Sequence, residues 1–270
     1  MNYIYHPPES PLDVRYNYHW DVLKAALQVT EKKYGKFHMK PSIFMTEDRQ
    51  VRELAKKESK ISIMIRETNN EFESKFIPVR IPIDRNLIGY RVLLINKKDK
   101  DLFKSVNSLE DLKKFSLGQG AGWGDVDILQ KAGFKVSTEV YYDKIFEGLA
   151  KGEYQAFPRA ATEVVDEFEK RKDKMPELMI EENIMLYYPL PTYFWFSKTD
   201  HGRKLAARTQ EGMETLVANG TLEKLFEKYY KTDIAGLKLK KRKLFKIPNP
   251  MLPLDTPFQD KRLWVDINNF

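Results

Sequence analysis

Ser116-Leu-Gly-Gln-Gly-Ala-Gly-Trp-Gly-Asp-Val-Asp-Ile-Leu129 runs from a short apolar stretch, through glycines at 118, 120, 122 and 124, into a helical pattern that begins at Asp125. This is the pattern of a strand, a glycine-rich turn and a helix start. Glycines let the main chain turn sharply and approach a bound group, and the first N–H groups of the helix lack internal partners. A helix start of this kind attracts a carboxylate or phosphate. Gln119 and Trp123 are the expected side-chain contacts, beside the Asp125 helix start. The spacing departs from Gly-x-Gly-x-x-Gly, because Trp123 stands where the third glycine belongs, and no Gly-Lys-Ser/Thr follows. A nucleotide site is therefore weakly supported, although Glu139 lies where an oxidoreductase would place a ribose acid, about 20 residues on.

Working outward, the pattern repeats on both sides. Upstream, Trp20, Leu23, Leu27, Thr30 and Tyr34 fall on a 3-4 spacing and predict a helix over 17–34, stopped by Gly35. Strands are expected at 3–5, 38–45 and 61–65, with a helix from Thr46 to Glu58 between the last two. That order implies a parallel sheet with ligand groups at strand ends, where the polar run Arg66-Glu-Thr-Asn-Asn70 supplies Arg66, Thr68 and Asn69 as candidates. Downstream, strand and helix alternate again from Lys135 to Ile180, and helices follow at 200–218 and 221–230, parted by Asn219-Gly220. Extended passages at 87–96 and 184–197 join the two α/β units. The chain therefore reads as an α/β protein with a discontinuous first lobe (1–88 and 189–270), an inserted second lobe (89–188) and a ligand cleft at a hinged interface. In the tail, Trp264 and Phe270 are expected to pack the proline-rich segment 249–257 onto the body.

Composition narrows the function. With 270 residues, 42% hydrophobic and 13% aromatic, the chain has ample material for packed cores. No apolar run approaches the roughly 20 residues that span a bilayer. The N-terminus lacks the basic and apolar regions of a signal peptide. Cysteine is absent, which excludes disulfides, thiol nucleophiles and thiolate metal sites. The net charge of +7 would suit nucleic acid, but the lysines are interspersed with acids on helix faces. The one concentrated basic run, Lys238 to Lys246, reads as a solvated face. The four histidines are far apart and form no metal spacing. No metal, cofactor or catalytic set is expected, and Glu9, Glu67 and Asp125 are the acids an enzyme would use. Aromatic residues near strand ends or crossovers, Tyr5, Tyr18, Tyr90, Trp123, Phe157 and Tyr193, are candidates to stack a flat or apolar ligand part.

Three segments carry a resemblance: Ser108-Leu-Glu-Asp-Leu-Lys with Leu117-Gly-Gln-Gly, Ile145-Phe-Glu-Gly-Leu-Ala-Lys-Gly-Glu-Tyr-Gln-Ala156, and Gly212-Met-Glu-Thr-Leu-Val-Ala-Asn-Gly-Thr-Leu-Glu-Lys-Leu-Phe-Glu-Lys-Tyr229. From Ile61 to Tyr230 the chain resembles the type II periplasmic solute-binding proteins that serve amino-acid ABC transporters, and in Phe157-Pro-Arg159 and the segment 249–257 a poorly characterised branch of them. The resemblance implies a monomer in the periplasm, its signal segment already removed, that hands a small ligand to an ABC permease. The alternatives it leaves are a ligand-sensing module of a membrane kinase or cyclase, and a dehydratase-like enzyme on the same fold. In that family an arginine clamps the ligand carboxylate and an acid holds its amine; here Phe72 and Arg159 stand at the matching positions. A cation at Arg159 repels an ammonium and can grip a carboxylate, so an anionic ligand is expected.

Overall fold

The computed structural model describes residues 1–267. The first part of the chain forms β1 (Asn2–Tyr5), α1 (Asn17–Val29), α2 (Glu31–Tyr34), β2 (His38–Pro41), α3 (Glu47–Leu54), β3 (Met64–Glu67), α4 (Asn70–Lys75) and β4 (Phe76–Val79). Next come β5 (Tyr90–Asn96), α5 (Lys100–Lys104), α6 (Leu109–Leu112), β6 (Ser116–Gly120), α7 (Gly124–Lys131) and β7 (Lys135–Glu139). They are followed by α8 (Tyr142–Lys151), β8 (Ala156–Ala160), α9 (Val164–Glu169) and β9 (Leu178–Tyr187). The chain then returns through β10 (Thr192–Ser197), α10 (Asp200–Ala218), α11 (Thr221–Leu237) and β11 (Lys243–Lys246).

Two sheets organise these elements. The smaller has the order β3-β10-β4 and the larger β11-β9-β5-β8-β6-β7, while β1 and β2 form a parallel pair of their own. The parallel first sheet expected from the sequence is corrected here. β10 enters from the far side of the chain and runs antiparallel to both β3 and β4, and a pairing so remote in sequence leaves no trace in local periodicity. The tail also departs from expectation. β11 lies beside β9 at the edge of the larger sheet, so residues 243–246 do not pack with the first lobe. Trp264 stacks on Phe258 at 4.8 Å between centroids and donates Nε1–H to the Pro257 carbonyl; Phe270 lies outside the described residues.

Helix packing explains why one expected helix became two. α1 buries Tyr18, Val22, Leu23, Ala26 and Leu27, one face at helical spacing. At Thr30 the side-chain hydroxyl donates back to the carbonyls of Ala26 and Leu27 at 3.1 and 3.0 Å, a bond that competes with continuation of the helix. α10 begins at Thr199, whose hydroxyl accepts the Gly202 N–H at 3.1 Å, and packs along α1. A Cβ at Gly212 would fall 2.2 Å from the Ala26 carbonyl oxygen, so the closeness of that crossing requires glycine.

The two sheets are joined by passages at 80–89 and 188–191, between β4 and β5 and between β9 and β10. These passages hold each other. The Asn86 side chain accepts the Leu190 N–H at 2.8 Å, and Gly89 accepts from the Tyr188 N–H at 3.2 Å. Arg85 and Asn86 both adopt positive φ, 54° and 61°, a strained setting for side-chain-bearing residues. The neighbouring Asp84 carboxylate accepts N–H bonds from Asn86 and Ile88 at 3.1 and 3.2 Å, and burial raises its pKa to about 7.

Candidate functional site

Between the sheets lies a cavity of about 60 Å³. Its walls come from the loop before α1 (Arg15, Tyr16), the start of α3 (Glu47), the end of β3 (Ile65, Arg66, Glu67), the turn into α7 (Trp123, Asp125), β5 (Arg91), and the β8–α9 junction (Arg159, Glu163). His19 of α1, Ile88 and Leu190 of the two passages and Thr192 at the start of β10 complete it. The lining is dense in charge, and each guanidinium is matched. Arg15 meets Asp13 at 2.9 Å and Glu9 at 3.3 Å. Arg66 meets Glu47 at 3.0 Å and Glu67 at 2.9 Å. Arg91 lies 2.7 Å from Asp125, and Arg159 lies 2.6 Å from Glu167 and 2.8 Å from Glu163.

Burial makes these pairs consequential, because an unpaired charge in such a setting costs several kcal/mol. For Arg66 burial opposes the charge, but Glu47 and Glu67 hold it protonated beyond its ordinary range. Arg159 is held the same way by Glu163 and Glu167. Burial would raise the Asp13 carboxyl, yet the Arg15 charge and its hydrogen bonds take it down to about 2. Glu47 goes the other way. Burial raises it to about 7 despite Arg66, with Glu9 and Glu67 adding repulsion, while the Tyr16 hydroxyl donates to it at 2.9 Å.

Histidine 19 contributes a different group. Its Nδ1 lies 3.2 Å from the Arg15 carbonyl oxygen; a carbonyl only accepts, so Nδ1 carries the proton. Burial lowers the ring pKa to about 4, which keeps it neutral and leaves Nε2 as a bare lone pair. That atom has no partner within the protein, and neither do Arg91 Nε or Thr192 Oγ1. All three belong to residues that are at most 7% exposed and line the same cavity.

The structure gathers some of the residues expected from sequence and disperses others. Arg66, Trp123, Asp125 and Arg159 line the cavity, and Glu9 supports it through Arg15. Trp123, 9% exposed, borders the cavity while packing on the core residues Phe157 at 6.2 Å and Tyr142 at 6.4 Å. Phe157 shares its face of β8 with Arg159 but lies one step deeper and is core. Tyr193 is turned away, because side chains alternate along β10. Thr192 faces the cavity, while Tyr193 packs with Trp195 on the opposite face. Tyr5 stacks on Trp20, Tyr90 on Tyr187, and Tyr18 donates to the Ile83 carbonyl, all away from the cavity. Gln119 is buried with its amide 3.4 Å from the Pro158 carbonyl. Thr68 and Asn69 line a separate cavity of about 220 Å³ beside Asn249 and Met251, and the Asn69 side chain caps α4 by accepting the Phe72 N–H at 2.8 Å. The Arg159 expectation is corrected in one respect. Its Nε and Nη2 already serve Glu163 and Glu167, so the bidentate edge that would grip an incoming carboxylate is occupied by the protein's own acids.

Sequence reasoning missed Arg15, Tyr16, His19, Glu47, Arg91, Glu163, Leu190 and Thr192. Two of them left a signal: Arg91 is a lone charge in the apolar strand Tyr90-Arg-Val-Leu-Leu-Ile-Asn96, and Glu163 stands four residues after Arg159, a pairing distance across one turn.

No family model matches the chain, and no curated protein matches its sequence. Solved structures do. An ancestral arginine-binding protein bound to arginine superposes with a TM-score of 0.61 at 20% identity, over 85% of this chain and 98% of its own. The fold is that of the type II periplasmic solute-binding proteins. A structure described with glutathione import through GshT and the cystine ABC importer TcyBC of Streptococcus mutans gives a TM-score of 0.62 at 18% identity, over 86% of this chain and 94% of that one. A periplasmic His/Glu/Gln/Arg/opine family-binding protein from Silicibacter pomeroyi, in complex with lysine, gives 0.59 at 11%, over 85% and 96%. Among the described residues no helix is long and apolar enough to cross a membrane.

Proposed function

We propose that the protein is a two-lobed solute-binding protein that closes on a small polar organic solute and presents it, outside the cytoplasm, to the permease of an ABC importer. One lobe is built on the smaller sheet, with residues 1–88 and the chain from 189 onward except β11; the other, 89–188, is built on the larger. The observation that carries this reading is the convergence of three buried, partnerless polar atoms, on His19, Arg91 and Thr192, upon one cavity between the lobes. Each buried polar group left unsatisfied costs about 1–3 kcal/mol, so a solute that meets them favours the closed state by its differential contacts. Arg85 and Asn86, at positive φ in the first passage, are suited to absorb the backbone change of opening.

The charge pattern gives no support to an anionic ligand, because every lining guanidinium already has a carboxylate within ion-pair distance. The arginine and lysine held by two similarly folded proteins carry cationic side chains. Thermal unfolding in the presence of amino acids, amines, carboxylates and phosphates tests the reading. A solute at 100 times its Kd stabilises by roughly 2.7 kcal/mol, a shift of several degrees in Tm. No shift with any small solute would sink the proposal, and turnover of a bound solute would reassign the cleft to catalysis.

A further inference from the structure

The start of α7, the place where the sequence suggests a ligand carboxylate, is occupied by the protein itself. The Gly124 N–H donates to Glu67 Oε1 at 2.9 Å across the cleft, and Arg66 Nη2 donates to the same oxygen at 2.9 Å. A Cβ at Gly124 would fall 2.5 Å from that oxygen, so glycine here lets a carboxylate approach the main chain, and the carboxylate is Glu67. Arg66 Nη2 also donates to the Gly122 carbonyl at 2.9 Å, which ties both partners of the pair to the turn. An incoming carboxylate would have to displace Glu67 from a helix start and a buried arginine, leaving one of two anions without its donors.

Charge around the cavity points the same way. The four guanidiniums have seven carboxylates within ion-pair distance, Glu9 and Asp13 at Arg15, Glu47 and Glu67 at Arg66, and Asp125, Glu163 and Glu167 at Arg91 and Arg159. The excess is three negative charges, or two where Glu47 holds its proton. Among the buried polar atoms at the cavity without a hydrogen-bond partner are the acceptor His19 Nε2, the Thr192 hydroxyl, which can accept as well as donate, and the donor Arg91 Nε; Arg66 Nη1 also makes no hydrogen bond but lies 3.0 Å from Glu47. Tyr16 and Trp123 border the same space, and their rings already hold cations of the protein itself, Arg15 at 5.2 Å from both centroids and Arg159 at 4.9 Å from that of Trp123.

Building on the solute-binding reading, we infer that Glu67 serves as a built-in carboxylate that excludes amino acids and selects a small amine or guanidine bearing a neutral acceptor such as a hydroxyl, without a carboxylate. Its ammonium or guanidinium faces the carboxylate excess, His19 Nε2 and Thr192 Oγ1, and its hydroxyl takes the Arg91 Nε–H.

Two matched pairs that differ by one carboxylate test this: serine against ethanolamine, and threonine against 1-amino-2-propanol, titrated calorimetrically into the wild type, Glu67→Ala and Glu67→Gln. The expected result is that wild type binds at least one decarboxylated member at least tenfold tighter than its amino acid, and that Glu67→Ala narrows or inverts the ratio by freeing the Gly124 N–H and Arg66. Glu67→Gln keeps an acceptor for Gly124 and sheds the charge, so it narrows the ratio even if the alanine variant does not fold. Tighter wild-type binding of the amino acids, or a ratio unmoved in both variants, overturns the inference. If neither pair binds while another solute raises Tm, the inference fails and the solute-binding reading stands; if no solute binds at all, that reading fails first.

Discussion

Arg208, in the seam between α1 and α10, and Arg159, in the cleft between the sheets, are 0% and 1% exposed, yet their partners differ in kind. Arg208 donates to the Thr30 hydroxyl at 3.0 Å and to the Leu27 carbonyl at 2.9 Å, at the C-terminal end of α1 where the helix dipole favours a cation. Among the described residues no carboxylate lies within ion-pair distance of it. Arg159 is gripped by Glu163 and Glu167 beside a void. Burial of a charge therefore does not by itself mark a binding site. Nor does a buried donor without a partner, since Arg208 Nη1 has none either; the cleft is distinguished by carboxylate-rich pairing around a cavity on which several such atoms converge.

Substitution of each arginine by methionine separates the two cases. Arg159→Met takes the guanidinium from the buried Glu167 and the half-buried Glu163 and is expected to destabilise by about 4 kcal/mol in chemical denaturation, within the range for breaking a buried pair. Adding Glu167→Met should recover part of that loss; a strictly additive double variant would contradict the pairing. Arg208→Met removes hydrogen bonds to neutral groups, and Thr30 keeps its own bonds to the α1 carbonyls, so the expected cost is smaller, about 2 kcal/mol. Equal losses at the two positions would erase the contrast.

Titration sharpens it further. Glu47 faces Arg66, Arg15, Glu9, Glu67 and Tyr16, and its pKa is raised from 4.5 to about 7. The folded state thus binds a proton that the unfolded chain has released, and this contribution to stability is full below about pH 4.5 and lost as pH rises towards 7. His6 and His19, both lowered from 6.5 to about 4, act oppositely, losing stability as pH falls through that window. Glu47→Gln removes only the first contribution. Relative to wild type its stability should therefore rise by at most about 1.4 kcal/mol per pH unit between pH 4.5 and 7. An unfolding series across that range checks the slope, and parallel curves would show that Glu47 titrates normally. The smallest effect belongs to the seam. Thr199→Ala removes the cap of α10 and should cost about 1 kcal/mol, with no change in pH dependence.

What was legible in the sequence follows the same division. α10 could be read from the Asn219-Gly220 stop that parts it from the next helix, because that signal is local, and its bounds, Asp200–Ala218, match the expected ones. The strand–turn–helix at 116–129 was legible for the same reason. Sheet direction was not, since β3 and β4 are both paired by a strand that arrives from beyond the second unit. In the cleft, Trp123 and Arg66 were found from their setting in a turn and at a strand end, but Arg15, Glu47 and Glu163 are polar residues in loops and helix starts, where no periodicity singles them out. Tyr193 was misjudged by one residue of strand alternation, since Thr192 and not its neighbour faces the space. The helix start was read as a place for a ligand's carboxylate or phosphate, and in the structure the group there is the Glu67 carboxylate of the same chain.

The smaller sheet has a consequence for biosynthesis. β3 and β4 do not touch as strands; β10 lies between them, and it begins at Thr192, well over a hundred residues after β4 ends at Val79. At a ribosomal rate of 5–20 residues per second, both strands wait about 10 s with open edges before their partner exists. During that time the larger sheet's strands β5 to β9 are already being made. The nascent chain therefore makes all of the larger sheet except its edge strand β11 while β3 and β4 are still unpaired, an interval in which ribosome-associated chaperones have an exposed strand to protect.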